Sequence, residues 1–169
     1  MLNYLIYVSM ADHLMSEKEL SEILDWSRDW NTEHNLTGML IYIEGLFINT
    51  EGRAISSERT GRFMQVLEGP QYELDDLFNN IRKDSRHHHV TLLHSASIAE
   101  RNFDDWQMGF KSLSLDEYRT APGFFELDQT FKKITGANVQ NMPLQILKSF
   151  YHRGQQQATL FAPQDPNQD

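Results

Sequence analysis

Some side chains in this sequence could do more than pack. Gln65 lies in the apolar run Phe63-Met64-Gln65-Val66-Leu67. A buried primary amide left without partners costs about 1–3 kcal/mol, so something must satisfy it. Its amide donates and accepts at once and can therefore bridge two polar groups. Tyr7, in Leu5-Ile6-Tyr7-Val8-Ser9, carries a phenol in a similar run. Most strand tyrosines are core residues with the hydroxyl at the rim. Asn31 follows an amphipathic stretch, where asparagine commonly ends a helix. Asp84, Arg86 and His87 form a charge cluster at a helix end. His87-His88-His89 invites a metal reading, but an extended chain puts only His87 and His89 on one face and offers no third ligand nearby. No metal site is expected.

Hydrolytic chemistry finds no support. Ser9, Ser57 and Ser95 lie in no nucleophile elbow. Asp75-Asp76 and Asp104-Asp105 read as solvated faces or turns. The first strand ends in Met10-Ala11-Asp12-His13 rather than in a glycine-rich anion loop. The chain has no cysteine, which excludes disulfides, thiolate metal sites and cysteine nucleophiles. Its 169 residues suit one domain, and 15 Lys and Arg against 24 Asp and Glu leave a net charge of −9. A phosphate-tracking surface needs the opposite sign, so no direct nucleic-acid contact is expected. At 40 % apolar and 11 % aromatic residues the chain can fill a core. No run approaches the ~18 apolar residues of a membrane span, and the chain starts without a basic leader. A cytoplasmic, non-enzymatic protein is expected.

The elements that must position these groups follow from periodicity. Leu2 to Met10 reads as a buried strand. Ser16 and Glu19 make a capping box that opens a helix with Leu20, Ile23, Leu24, Ser27 and Trp30 on its packing face. Leu36 to Glu44 and Arg62 to Glu68 are the next strands, separated by an inserted loop at about 45–61. Leu74, Leu77, Phe78 and Ile81 mark a second helix, Val90 to Ile98 a fourth strand, and alternating Trp106, Met108 and Phe110 a fifth. This order predicts an α+β, ferredoxin-like βαββαββ fold: a five-stranded mixed sheet, two helices on one face, and C-terminal helices. Its first and third strands are neighbours, so Tyr7 and Gln65 meet under a slot between the helices. Residues 1–114 form the folded unit, 115–153 a helical extension with Leu144, Ile146, Leu147, Phe150 and Tyr151 on its apolar side, and 154–169 a disordered tail.

Tyr7 in its strand, Asn31…Leu36-Thr37-Gly38, Arg62-Phe63-Met64-Gln65-Val66-Leu67-Glu68-Gly69-Pro70, Asp84-Ser85-Arg86-His87 and Arg101-Asn102-Phe103-Asp104-Asp105-Trp106-Gln107-Met108-Gly109-Phe110 together resemble the BLUF domain, a sensor of blue light using FAD. The resemblance runs from Leu2 to Leu113, and the C-terminal part is similar to that of short, stand-alone BLUF proteins. It implies a flavin (FAD, or FMN or riboflavin) held non-covalently between the helices, gripped by Ile23 and Ile81. It further implies contacts from Asn31 to the polar ring edge, from Asn80, and from Arg86 with Asp84 and His87. Tyr7 would supply an electron and then a proton, Gln65 would turn or tautomerise, and Trp106 and Met108 would relay the change. Trp106 would also be a competing electron donor.

The expected output is a protein partner or a change in a homo-oligomer. Two residues depart from the family. Trp30 stands where a polar residue or histidine is usual, which implies a lost hydrogen bond or a stacking wall. Asn80 stands where a basic residue is frequent. The competing expectation is a flavin-free, ferredoxin-like assembly module.

Overall fold

The computed structural model describes residues 1–45, 60–103 and 108–112. Of the expected loop at about 45–61, residues 46–59 lie outside the described residues, as do Trp106, the 115–153 extension and the 154–169 tail, while Gly45, Thr60 and Gly61 belong to strands. The elements run β1 (Leu2–Ala11), α1 (Glu17–Glu33), β2 (Thr37–Gly45), β3 (Thr60–Pro70), α2 (Gln71–Ile81), β4 (His87–Ser97) and β5 (Gly109–Ser112). The sheet order is β4-β1-β3-β2-β5. The first four strands pair antiparallel, and β5 joins β2 in parallel, which makes the sheet mixed.

Local signals fix α1. Ser16 accepts from the Glu19 amide while the Glu19 carboxylate accepts from the Ser16 amide, so both halves of the capping box form. Leu20, Leu24, Ser27 and Asn31 are its buried residues, four or fewer apart along one stripe. In α2 the matching stripe is Leu74, Leu77 and Ile81. These helix faces share one core with Leu5, Tyr7, Leu40, Tyr42, Phe63 and Leu67, which fall on one side of the sheet by the period-two rule. On the other side Ile6, Met39, Ile41, Ile43, Met64 and Val66 are equally buried.

β4 departs from the expected Val90–Ile98 span. It begins at His87, and its pairing with β1 slips between Ile6 and Tyr7 and again between Val8 and Met10. At the second slip His89 adopts φ 52°, a left-handed conformation that suits an extra bulged residue. Simple alternation of the three histidines is therefore lost. β5 is also shorter than the Trp106–Phe110 alternation suggests, and Met108 immediately precedes it.

Gly38 sits where β2 crosses close to β3. A Cβ there would collide with the Val66 carbonyl oxygen and lie only 3.2 Å from its carbon and 3.3 Å from Leu67 Cα. These are backbone atoms in a central strand and cannot swing aside. Gly38→Ala should lower stability by ~1–3 kcal/mol, the usual cost of overpacking, read as a lower urea midpoint at unchanged slope.

Candidate functional site

The site starts from strand register. Tyr7 on β1 and Gln65 on β3 are cross-strand partners, and Gln65 faces Leu40 of β2 on its other side. All three project toward the helices. The Tyr7 hydroxyl donates to Gln65 Oε1. The remaining half of the amide, Nε2, donates to the Met108 thioether at 3.5 Å. A buried line of phenol, amide and sulfur therefore crosses β1 and β3 to the residue before β5, with exposures of 3 %, 4 % and 2 %. Sulfur is a weak acceptor, so a strong amide donor is held by a partner that a better acceptor would displace. Arg28 of α1 adds a second hold on Met108, donating from Nε to its carbonyl at 3.3 Å.

Tyr7 and Gln65 floor a cleft that, counted with the open solvent at its mouth, encloses about 520 Å³. Ile23, Trp26, Ser27 and Asn31 of α1 form one wall, Leu77 and Ile81 of α2 the other, and Phe63 adds to the floor. The turn from α2 into β4 closes one end with Asp84, Arg86 and His87. Flat apolar walls with polar groups gathered at the floor and one end suit a planar heterocycle with a polar edge.

The polar groups are already organised. Asp84 Oδ1 accepts from the Arg86 amide and from Arg86 Nε, both at 2.9 Å. Burial works to raise the Asp84 pKa, but the Arg86 hydrogen bonds and charge outweigh it and hold the carboxyl below its ordinary value. His87 Nδ1 pairs with Ser9 Oγ at 2.7 Å, and burial pushes the imidazole pKa down, favouring the neutral ring. Burial likewise drives the Tyr7 phenol far above its usual pKa, helped by the Asp84 charge and opposed by Arg86.

Of the residues singled out in the sequence, Tyr7, Ile23, Asn31, Gln65, Ile81, Asp84, Arg86 and His87 border this one cavity, and Met108 touches Gln65 from behind. Asn80 does not border it. It lines an adjoining hollow with Lys83 and Ser85, which shares Trp26, Ile81, Asp84 and Arg86 with the main cavity. Trp30 does not border the cavity either. Its ring stacks on Trp26 and His34 along α1 instead of forming the cavity wall. Trp106 lies outside the described residues.

Trp26, Ser27, Leu40, Phe63 and Leu77 were not singled out, although Ile23, Ser27 and Asn31 fall four residues apart and predict a common face. The support beneath the site was also missed. The Glu68 carboxylate, fully buried, accepts from the Asn102 and Phe103 amides at 2.8 and 3.1 Å. Arg101 donates to the Glu68 carbonyl at 2.7 Å and to Thr37 Oγ1 at 2.8 Å. The chain leading to Met108 is thereby pinned to the ends of β2 and β3.

Comparison with known proteins places these features in a family. The family model for BLUF, sensors of blue-light using FAD, matches residues 2–56 and 54–109. The photoactivated adenylate cyclase subunit beta of Euglena gracilis is 32 % identical over 108 residues, 63 % of this chain and 11 % of that protein. The chain thus spans about a tenth of the curated relatives it matches. Among solved structures, Klebsiella pneumoniae BlrP1 with FMN and cyclic diGMP gives a TM-score of 0.64 at 26 % identity, covering 91 % of this chain and 35 % of that one. BlrB, a BLUF protein in its dark state, gives 0.54 at 27 % identity over 80 % of this chain and 86 % of that one.

The Asp84–Arg86 pair generates a pH prediction. A carboxyl with a lowered folded pKa contributes stability above its unfolded value, and the contribution is lost as pH falls through the folded one. Arg86→Gln leaves Asp84 partly buried without its cation, so its pKa should rise. Urea unfolding followed as a function of pH should show the acid limb displaced to higher pH in the variant, with little change in the fold near neutrality.

Proposed function

The chain belongs to the BLUF family, sensors of blue light using FAD, and we propose that it is a blue-light photoreceptor that holds FAD non-covalently in the cavity above Tyr7 and Gln65. The observation that carries this reading is the Tyr7–Gln65 pair opening onto that cavity with Met108 behind it. Ile23 and Ile81 would clasp the ring faces. Asn31, Arg86 and Gln65 would meet its polar edge, and the adjoining hollow with Asn80 would accept the more distal part of the cofactor. FMN, present in the BlrP1 structure, is the other candidate.

Once bound, the flavin supplies the absorption of blue light and a strong oxidant in its excited state. The protein's part is proton control. Burial holds the resting Tyr7 phenol protonated, and because an oxidised phenol is a very strong acid, its proton leaves once the electron is given up. That proton lies on the hydrogen bond to Gln65 Oε1. When the proton returns, the Gln65 amide can be left turned or tautomerised, and a half-turn puts its donor nitrogen where its acceptor oxygen was. A turned amide no longer presents Nε2 to the Met108 sulfur. Met108 immediately precedes β5, a four-residue strand with one neighbour, and a small change there is readily passed on.

On this reading residues 1–114 sense light. The 115–153 extension and a protein partner, or a second copy of the chain, receive the signal. No catalytic step is assigned to this chain. Among the described residues no helix is long and apolar enough to cross a membrane.

The test is the visible spectrum of the purified, FAD-supplemented protein in the dark and just after blue light. The wild-type chain should be yellow, shift slightly to the red and relax. Gln65→Leu and Tyr7→Phe should keep the flavin and lose the shift. A colourless wild-type protein that refuses added FAD overturns the proposal in favour of a flavin-free module.

A further inference from the structure

Trp26, Trp30 and His34 are spaced four residues apart on α1, and their rings form one continuous stack. Centroids are 5.4 Å apart between the two indoles and 4.1 Å between Trp30 and the imidazole, with planes inclined by 25° and 7°. The first ring of the stack borders the same cavity as Tyr7 and Gln65, and the other two lead away from it. Packing alone does not require the arrangement, since Trp26 is 44 % exposed.

The cavity wall therefore carries two oxidisable rings of different kinds. Tyr7 must release a proton with its electron, whereas an indole can lose an electron alone. Resting on the proposed function, we infer that Trp26 and Trp30 act as a second electron donor that competes with Tyr7 and drains the excited state without switching the protein. One electron leaves the Trp26 indole for the light-excited flavin, which gains it. No bond forms or breaks and no proton moves. The positive charge is shared with stacked Trp30, and return of the electron restores both partners with no net oxidation.

Three features of α1 favour that path. The C-terminal end of a helix is the negative end of its dipole, so a positive charge moving from Trp26 to Trp30 moves toward stabilisation. The last turn of α1 holds Glu33 and no basic residue, and the face of the His34 ring adds polarisable contact. Trp30 Nε1 is buried and has no hydrogen-bond partner among the described residues. With no acceptor for its proton among the described residues, the charge is kept on the rings until the electron returns.

The pair can be tested before any flavin is added. Two stacked indoles couple their transitions, so the flavin-free protein should show an exciton couplet in circular dichroism that both Trp26→Phe and Trp30→Phe remove. No couplet in the wild-type chain overturns the inference. In the FAD-loaded protein, removing one of two decay channels of similar rate should lengthen the flavin fluorescence lifetime about twofold in Trp26→Phe, with a matching gain in red-shifted product. Trp30→Phe leaves the cavity wall intact and should shorten the life of the indole radical cation seen by transient absorption. A wild-type chain that shifts normally while both variants match it in lifetime and radical decay overturns the inference and leaves the photoreceptor reading standing. Should Trp26→Phe fail to load, Trp30→Phe decides alone, and unchanged radical decay again overturns the inference. A wild-type chain that takes up no flavin overturns both.

Discussion

Everything at this site depends on one cross-strand pairing. With β1 and β3 antiparallel and Tyr7 opposite Gln65, a phenol and a primary amide face the same buried layer at the centre of the sheet. Neither would survive there alone, because a buried polar group without a partner costs as much as several methylenes gain. Together they satisfy each other: the hydroxyl donates, and the amide oxygen accepts. A one-residue slip of either strand would turn one of them to the opposite face, where Ile6 and Val66 now sit. The fold thus enforces a hydrogen bond that neither strand could form by itself, and the cavity above it is the space the two helices leave uncovered.

The surroundings divide into parts that are tied down and one that is not. Asp84 and Arg86 hold each other, Ser9 and His87 are paired, and Glu68 with Arg101 fastens the chain that leads to Met108. Asp84, Glu68 and Arg101 each make more than one such hydrogen bond. Gln65 Nε2 is different, for its partner among the described residues is a thioether at 3.5 Å. A switch needs two arrangements of nearly equal free energy inside a frame that does not yield, and a strong donor resting on a weak acceptor meets that condition.

Much of this could be read from residue order. The helix and strand succession set the sheet topology, and the topology alone put Tyr7 beside Gln65. The capping box at Ser16 and Glu19 marked the start of α1. What stayed hidden depends on three-dimensional detail. The bulges of β4 come from pairing slips that leave no trace in hydropathy, so its start at His87 was missed and the histidine alternation misjudged. Glu68 reads as an ordinary strand-end acid until Asn102 and Phe103 are folded onto it from thirty-odd residues away. Asn80 shares a helix with Ile81, yet the helical turn of about 100° per residue directs it to the neighbouring hollow. Trp30, read as a lost contact or a wall, has its own partners along α1.

That last residue bears on what the family's chemistry leaves free to vary. The Tyr7–Gln65 pair is constrained by register, burial and hydrogen bonding at once, and few substitutions satisfy all three. The rim of the cavity is constrained far less: the core stripe of α1 is Leu20, Leu24, Ser27 and Asn31, and Trp26, 44 % exposed, borders the cavity from beside it. On the proposed function, an oxidisable ring placed there would change how an excited cofactor divides its energy without disturbing the floor of the site. Rim and floor would be separately adjustable, because they depend on different elements, α1 on one side and the β1–β3 register on the other.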